Sequence, residues 1–273
     1  MSAGQDSTMI RPFDDEGVER RSDGSLGYTN LPRSLVHMFD ESCRRFAEAE
    51  AIAVVGGERC SYRDLWSRAS RVAGGLRDDG VERGDRVAIL LPNGIEWVLA
   101  FWGVQLAGAV VVPVNGRFAP AEVDYVLSDS GSEVVIADST RLPDGEPVAD
   151  LTMGPSDLAA IFYTSGTTGF PKGAMTTHEN FLSNIETCIR CSPLDPDRPP
   201  RNLVSVPLFH VTGCNSQLLP TNKLGGLTVI MPEFDVQLFL RTAVDEQIDT
   251  MITVPAIYWL AMNQPNIDEF DLD

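Results

Sequence analysis

A short stretch near the middle of the chain concentrates side chains that suit phosphate binding. Residues 163–173 contain four hydroxyl side chains of Ser and Thr, three glycines and one lysine. Glycine lets backbone N–H groups approach a ligand closely, and successive N–H groups in such a turn can form a concave anion site. The stretch therefore predicts a cradle for the phosphates of a nucleotide. Its candidate ligands are Thr164, Ser165, Gly166, Thr167, Thr168, Gly169 and Lys172.

The order of residues in this stretch differs from that of a P-loop. A P-loop needs Gly, four variable residues and then Gly-Lys-Ser/Thr, whereas Lys172 stands between Pro171 and Gly173. This difference argues against a P-loop kinase or ATPase. The structural alternative is a Gly- and Thr-rich surface turn. The apolar run at 158–163 directly before the stretch favours a strand followed by a binding loop.

A second candidate group is Pro-Leu-Phe-His-Val-Thr-Gly at residues 207–213. It follows a predicted strand at 203–206, so His210 should lie at the carboxyl edge of a sheet, where open α/β sheets bind ligands. Flanked by Phe209 and Val211, this histidine could meet a substrate carboxylate at the mouth of an apolar pocket. The alternative is a half-buried histidine with a structural hydrogen bond.

The elements that must position these groups alternate between short apolar strands and helices. This alternation predicts βαβ units, because parallel strands need helical crossovers that cover both faces of the sheet. We expect an α/β fold of alternating β/α layered subdomains, with mostly parallel sheets flanked by helices. The predicted organisation is a flexible leader at 1–28, a first α/β subdomain at 29–137, a linker at 138–156 and a second α/β block at 157–273.

Several individual elements are predicted sharply enough to be checked. A helix should open at 30–32, where proline is tolerated in the first turn. Residues 51–61 read as a β-hairpin around two glycines, and a capping box should start the next helix at Ser61. A strand is predicted over 250–253. Trp259 is expected to pack against other elements, like the other helical tryptophans.

The charge of the chain excludes some classes of partner. With 21 basic and 39 acidic side chains, the formal charge is −18. Nucleic acids and anionic lipids are bound through positive patches, so neither is an expected partner. ATP is also repelled at long range. A nucleotide site must therefore be locally positive, through Lys172, backbone N–H groups and Mg²⁺.

The chain carries no recognisable targeting or disulfide signal. No apolar run reaches the roughly 18 residues that can span a bilayer, and residues 1–23 lack the apolar core of a secretory signal. We therefore expect no transmembrane segment and a cytoplasmic location. Five cysteines are an odd number and argue against a disulfide framework. Cys188 and Cys191 form a CxxC pair in a predicted helix, for which we expect a plain structural role.

Both candidate strings resemble signatures of one superfamily. Residues 163–173 closely resemble the phosphate-binding signature of the acyl-adenylate-forming (AMP-binding) superfamily, which includes acyl-CoA and aryl-CoA ligases, peptide-synthetase adenylation domains and luciferases. Residues 207–213 resemble a second signature, that of the acyl-CoA synthetase (fatty-acid–CoA ligase) branch, in which the histidine stands beside the acyl-binding tunnel. The stretch 86–115 is also similar to this family.

The resemblance implies an AMP-forming acid–thiol ligase. In this family a carboxylate attacks the α-phosphate of ATP, pyrophosphate leaves, and a thiol, usually that of coenzyme A, takes the acyl group. Lys172 and His210 would be the catalytic residues, the latter near the carboxylate, and no metal ligand is assigned. The implied small molecules are ATP, Mg²⁺, CoA and a carboxylic acid, with a fatty acyl acid favoured. The residues implied to hold the β- and γ-phosphates are Thr164, Ser165, Gly166, Thr167, Thr168, Gly169 and Lys172.

The sequence also departs from the family. Members carry a later Tyr-Gly-x-Thr-Glu motif with a Mg²⁺-binding glutamate, an aspartate that holds the ribose, and a C-terminal lid with a lysine. None of these is found in residues 1–273, so the resemblance is to the N-terminal portion, which should not complete adenylation unaided. Two alternatives stay open: an acyl-AMP ligase that loads a carrier protein, and a non-catalytic, truncated homologue that binds ATP. Acyl chain length, aryl or alkyl preference and oligomeric state also stay open.

Overall fold

Helices and strands alternate along the part of the chain that the structure describes. This structure, a computed structural model, describes residues 13–164, 170–192 and 198–272. The strands are β1 (Val18–Arg20), β2 (Leu26–Tyr28), β3 (Glu50–Val54), β4 (Arg59–Ser61), β5 (Arg86–Ile89), β6 (Val110–Pro113), β7 (Val134–Ile136), β8 (Leu158–Thr164), β9 (Lys172–Thr177), β10 (Arg201–Val204) and β11 (Leu227–Ile230). The helices are α1 (Leu35–Arg45), α2 (Tyr62–Asp78), α3 (Ile95–Leu106), α4 (Pro120–Ser130), α5 (His178–Cys191), α6 (Val211–Gly213), α7 (Leu219–Lys223), α8 (Val236–Asp245) and α9 (Pro255–Met262).

A five-stranded sheet holds the predicted phosphate loop. Its order is β7-β5-β6-β8-β9, in which the first four strands are parallel and β9 runs antiparallel to β8. Helix α3 is buried on nearly all sides against this sheet and α2. Its Trp102 stacks on Phe39 of α1, with ring centroids 3.9 Å apart. The expected mostly parallel α/β architecture is confirmed.

A four-stranded sheet supports the His210 segment. Its order is β10-β11-β3-β4, with β10, β11 and β3 parallel and β4 antiparallel to β3. The predicted hairpin at 51–61 is thus confirmed as β3 and β4. Each of the two sheets contains strands from before residues 138–156 and strands from after them. Strand pairing therefore does not follow the two blocks predicted from the sequence.

The start of two helices shows how local side chains set element boundaries. The predicted capping box is confirmed at α2, where Ser61 Oγ accepts the Asp64 N–H at 3.1 Å and the Asp64 carboxylate accepts the Ser61 N–H at 3.3 Å. The prediction of a helix opening at 30–32 is wrong. Helix α1 begins after Ser34, whose Oγ accepts the His37 N–H and so satisfies one of the first free N–H groups of the helix.

Two further predictions for the C-terminal region are corrected. Residues 250–253 form only an isolated parallel bridge, between Thr250 and Asn202, because backbone hydrogen bonds join this segment to β10 only near Thr250. Trp259 is 64% exposed on α9 instead of packed.

The N-terminal hairpin was not expected from the sequence. Strands β1 and β2 pair within the segment predicted as a leader. The Arg190 guanidinium of α5 lies 4.7 Å from the centre of the Tyr28 ring and donates to the carbonyls of Asp14 and Glu16. Among the described residues, no helix has the length and apolar character needed to cross a membrane.

Candidate active site

The predicted phosphate loop joins β8 to β9. In the antiparallel register of these strands, Thr164 pairs with Lys172 as the last pair before the loop, and both residues are exposed. The structure thus places these two predicted ligands side by side at one end of a β-hairpin. The remaining predicted ligands, Ser165, Gly166, Thr167, Thr168 and Gly169, lie outside the described residues.

Helix α4 fixes both ends of this loop. Before the loop, Tyr163 Oη donates to the Asp129 carboxylate at 2.6 Å. After the loop, the Phe170 ring stacks on Tyr125, with centroids 4.6 Å apart. Burial, with a further contribution from Asp129, raises the pKa of Tyr163 well above its ordinary value, so the hydroxyl remains a donor. Both anchors lie on α4, at positions 125 and 129, and they hold Tyr163 and Phe170 against this helix.

Strand β9 begins with a lysine that has no carboxylate partner among the described residues, followed by a closely packed glycine. A Cβ on Gly173 would lie 2.8 Å from Ile161 Cγ2, so a larger residue there would require the Ile161 side chain to shift. Lys172 forms no ion pair with any carboxylate in the described ranges. Among the described residues, the ammonium of Lys172 therefore has no counter-charge, and a lysine of this kind is suited to bind an anion.

His210 caps the short helix α6. Its Nδ1 accepts the Thr212 N–H at 3.1 Å, and its side chain is exposed. Because Nδ1 is an acceptor, the neutral ring carries its proton on Nε2. The ring is therefore oriented by its own backbone, and Nε2 can donate a hydrogen bond to a substrate oxygen.

Asn93 holds the loop that carries His210. Its Nδ2 donates to the Val206 carbonyl at 2.9 Å, and its Oδ1 accepts the Leu208 N–H at 2.8 Å. Asn93 follows β5 in the five-stranded sheet, whereas 206–208 follow β10 in the other sheet. One amide thus ties the carboxyl edges of the two sheets together. Sequence reasoning gave this residue no role.

A glycine brings the helix after His210 close to the same loop. A Cβ on Gly213 would lie 2.4 Å from the Pro207 carbonyl oxygen. After Gly213 the chain makes a π-helical turn at Cys214–Leu218 and continues as α7. The absence of a side chain at Gly213 therefore sets how α6 leaves the loop and where His210 points.

Thr164 and His210 line the same cavity. This cavity has a volume of about 210 Å³. Its walls include aromatic side chains from three segments, Phe118, Phe162 and Phe209. Lys172 is not among the lining residues. The structure therefore brings the start of the phosphate loop and the histidine together, with Lys172 at the neighbouring position across the hairpin.

A larger cleft of about 1070 Å³ shares Phe118 and Phe209 with this cavity. It is lined by residues that follow β5, β6, β10 and β11, hence by the carboxyl ends of strands from both sheets. Ligands of open α/β folds bind at such edges. Within the described ranges, no three His, Cys, Asp or Glu side chains are placed to hold a metal ion.

The class of protein to which this α/β fold belongs follows from its similarity to known proteins. The sequence model of the AMP-binding enzyme family matches residues 39–272. The chain is 36% identical over 237 residues to a feruloyl-CoA synthase of Amycolatopsis sp, covering 80% of this chain and 48% of that protein. It is 33% identical over 244 residues to the long-chain-fatty-acid–CoA ligase FadD13 of Mycobacterium tuberculosis, covering 78% and 48%.

Solved structures of CoA synthetases also resemble this chain. The inhibitor-bound N-terminal domain of FACL13 from Mycobacterium tuberculosis superposes with a TM-score of 0.79 at 30% identity, covering 88% of this chain and 68% of that one. An o-succinylbenzoate CoA synthetase from Bacillus subtilis, in complex with its acyl-adenylate intermediate, gives a TM-score of 0.76 at 25% identity, covering 84% and 64%. The chain belongs to the AMP-binding enzyme family. It spans about half the length of the curated relatives that it matches.

Proposed function

We propose that the protein containing this chain is an ATP-dependent carboxylic acid–CoA ligase that releases pyrophosphate and forms an acyl-adenylate and then an acyl-CoA thioester. The observation that carries this proposal is the cavity shared by Thr164 and His210. It allows a triphosphate on the hairpin loop and a carboxylate beside the histidine to meet. The named relatives, which include a feruloyl-CoA synthase and a long-chain-fatty-acid–CoA ligase, support this chemistry.

In the proposed reaction, the chain acts mainly by positioning and by charge. Lys172 and the hydroxyls and N–H groups of residues 164–169 hold the β- and γ-phosphates, where negative charge develops as pyrophosphate leaves. His210 Nε2 donates to one carboxylate oxygen and leaves the other free to attack the α-phosphate. Displacement at phosphorus requires little from side chains beyond alignment and charge stabilisation. The proposed substrate is a fatty acyl acid or a related acid.

We also propose that residues 1–273 by themselves bind ATP but do not complete adenylation. The family motifs with the Mg²⁺-binding glutamate and the lid lysine are not found in this sequence. The chain spans 48% of the feruloyl-CoA synthase relative. In this proposal the chain supplies the phosphate loop and His210 but not the other catalytic groups of the family.

The test is acid-dependent ATP–pyrophosphate exchange by the protein that contains this chain, over a panel of fatty and aryl acids. Lys172→Ala removes the charge on the leaving phosphates. We expect exchange to be abolished and ATP binding to the chain, followed by calorimetry, to weaken by about 10- to 100-fold, the size of a lost charge-assisted hydrogen bond.

Arg44→Ala is the matched control, because it also removes one positive charge but from a side chain that is 75% exposed on α1. It should leave exchange and ATP binding unchanged. Absence of exchange with every acid in the panel would overturn the proposed ligase. An acceleration of turnover by CoA would distinguish the CoA ligase from an enzyme that loads a carrier protein.

A further inference from the structure

Two cysteines stand three residues apart in the last turn of α5. Cys188 is half-buried, and Cys191, the last residue of the helix, is exposed. Residues with this spacing share one face of a helix. The other three cysteines, Cys43, Cys60 and Cys214, are all buried. The plain structural role expected from the sequence suits buried thiols, but it does not account for an exposed thiol beside a second one.

The structure brings both cysteines to one cavity. This cavity has a volume of about 470 Å³ and lies between the end of α5, the π-turn and the edge of β10. Burial is the main reason why the pKa of Cys188 is raised, against lowering effects of hydrogen bonds from Ser216 and Asn184. Cys191 raises the same pKa further, because two thiolates repel each other. Cys188 therefore keeps its proton at neutral pH, and it lies near enough to Cys191 for the two groups to interact.

The backbone geometry of this turn is close to that of a disulfide. A disulfide needs Cα atoms about 4.4–6.8 Å apart and Cβ atoms about 3.5–4.5 Å apart. In an α-helix, residues three apart have Cα atoms about 5 Å apart and Cβ atoms about 5–6 Å apart. The Cα distance is thus already suitable, and the Cβ atoms must approach each other by roughly 1–2 Å. Only the last turn has to adjust, because α5 ends at Cys191.

Arg190, between the two cysteines, joins this turn to the N-terminal hairpin of β1 and β2. Its guanidinium donates to the carbonyls of Asp14 and Glu16, each at 2.8 Å. It also lies 4.7 Å from the centre of the Tyr28 ring. A rearrangement of the last turn moves Arg190, because this residue belongs to the turn. The hairpin would then lose these contacts.

We propose that Cys188 and Cys191 form a reversible disulfide, with a low-molecular-weight disulfide as the oxidant, and that this bond loosens the hold of Arg190 on the N-terminal hairpin. None of the residues involved belongs to the phosphate loop or to 207–213. The proposed oxidation therefore does not depend on the proposed ligase activity.

The reaction consists of two thiol–disulfide exchanges. The exposed thiolate of Cys191 attacks one sulfur of the small disulfide, whose S–S bond breaks. A mixed disulfide forms, and one small thiolate leaves and takes up a proton. Cys188 then releases its proton to water and attacks the sulfur of Cys191, and the second small thiol leaves. In total the two protein thiols lose two electrons and two protons, and the small disulfide is reduced to two thiols.

The test treats the full 273-residue chain with an excess of bis(2-hydroxyethyl) disulfide. An uncharged disulfide is used because the formal charge of −18 repels an anionic one. The remaining thiols are then alkylated in denaturant, and the bond is located by peptide mass spectrometry. We expect Cys188 and Cys191 to be linked and the three buried cysteines to be alkylated. Dithiothreitol should restore both thiols.

Hydrogen exchange of the amides at 18–28 measures the hold on the hairpin. We expect these amides to exchange about tenfold faster in the oxidised chain, which corresponds to the loss of about one hydrogen bond with a charged donor. The amides of α8 are the internal reference and should keep their exchange rate. Arg190→Met in the reduced chain should give the same increase, and oxidation of this variant should add nothing further.

Cys191→Ser is the matched control, because it replaces one exposed sulfur by oxygen and leaves Arg190 in place. In this variant the oxidant should form no disulfide with Cys188 and should leave the exchange of the hairpin amides unchanged. Thermal unfolding of each reduced variant checks the fold.

Four results would overturn the proposal. The first is a wild-type chain whose cysteines do not react, and the second is a stable adduct on Cys191 without a bond to Cys188. The third is a bond between these two cysteines that leaves the exchange of the hairpin amides unchanged. The fourth is faster exchange of the hairpin amides in Cys191→Ser treated with the oxidant.

Discussion

His178 is a buried imidazole at the first position of α5, 1% exposed. Burial is the main reason why its pKa is lowered to about 4, with smaller lowering effects from His37 and Arg83 and an opposing effect from Asp157. Its Nδ1 accepts the Leu35 N–H at 3.3 Å, so the neutral ring is the form that fits.

The low pKa of His178 predicts a loss of stability in mild acid. The unfolded chain takes up a proton near pH 6.5, whereas the folded chain resists until about pH 4. Between these values the unfolded state binds more protons, so the free energy of unfolding falls as the pH falls, by roughly 3 kcal/mol in total. The free energy of unfolding, measured by urea titration at pH 7.5, 6 and 5, tests this prediction.

The matched variant is His178→Asn, which keeps an acceptor for Leu35 but does not titrate. It should lose less stability than the wild-type chain over the same pH range, because the proton uptake of His178 no longer contributes. Identical pH profiles for the two proteins would show that His178 is not responsible.

At the scale of single residues, the sequence indicates candidate groups only where they stand together in one contiguous string. Thr164, Lys172 and His210 stand in such strings, and the structure places Thr164 and His210 at one cavity. Asn93 could not be found in this way. Its two partners lie 113 and 115 residues away, and no local pattern distinguishes an asparagine that binds a distant loop from one that faces solvent.

At the scale of elements, the path of the chain after His210 depends on Gly213. An added Cβ would meet the Pro207 carbonyl oxygen at 2.4 Å, and a backbone oxygen in a fixed loop cannot move aside cheaply. We expect Gly213→Ala to lower the free energy of unfolding by about 1–3 kcal/mol, as overpacking does. Pyrophosphate exchange should fall as well, since His210 is displaced.

Gly154→Ala is the control for this substitution. The nearest atom to its added Cβ is the Asp157 Oδ2 at 3.8 Å, an ordinary contact. Its stability, measured by the same urea titration, should change by less than about 0.5 kcal/mol. If Gly213→Ala were as stable and as active as this control, the close approach would have no role in placing His210.

Element boundaries were predictable where only neighbouring residues decide them. The capping box at Ser61 needs nothing beyond its own turn, and it is present. Strand pairing was not predictable, because β3 pairs with β11, which lies far along the chain. The strand expected at 250–253 had the right composition, but its hydrogen bonds with β10 are confined to the region of Thr250. Composition gives β-propensity, whereas the number of ladder bonds depends on the neighbouring strand.

At the scale of the whole molecule, the candidate site lies where the carboxyl ends of two sheets meet. Strands from both sheets contribute to the cleft of about 1070 Å³, and Asn93 joins their edges. Because each sheet takes strands from both halves of the sequence, the site cannot form from either half alone. Folding of the two sheets and assembly of the site are therefore coupled.

Two features of the whole molecule have opposite effects on its self-association in solution. The formal charge of −18 keeps copies of the chain apart. Helix α9, however, exposes large apolar side chains: Tyr258 is 39% exposed, Trp259 64% and Met262 73%. Contiguous apolar surface of this kind favours association. Salt shortens the range of the repulsion to about 10 Å at 0.1 M and about 3 Å at 1 M, and it leaves the apolar attraction in place.

We therefore expect the 273-residue chain to associate with itself increasingly as salt is raised, and to do so through α9. Sedimentation velocity at low and high salt measures this, and the double variant Trp259→Ser, Met262→Ser should remain monomeric in both. Leu26→Ser, which alters a side chain of similar exposure (63%) in the N-terminal hairpin, is the control and should associate like the wild type. A wild-type chain that stays monomeric at 1 M salt would contradict the prediction. Equal association of the control and the α9 variant would place the contact elsewhere on the surface.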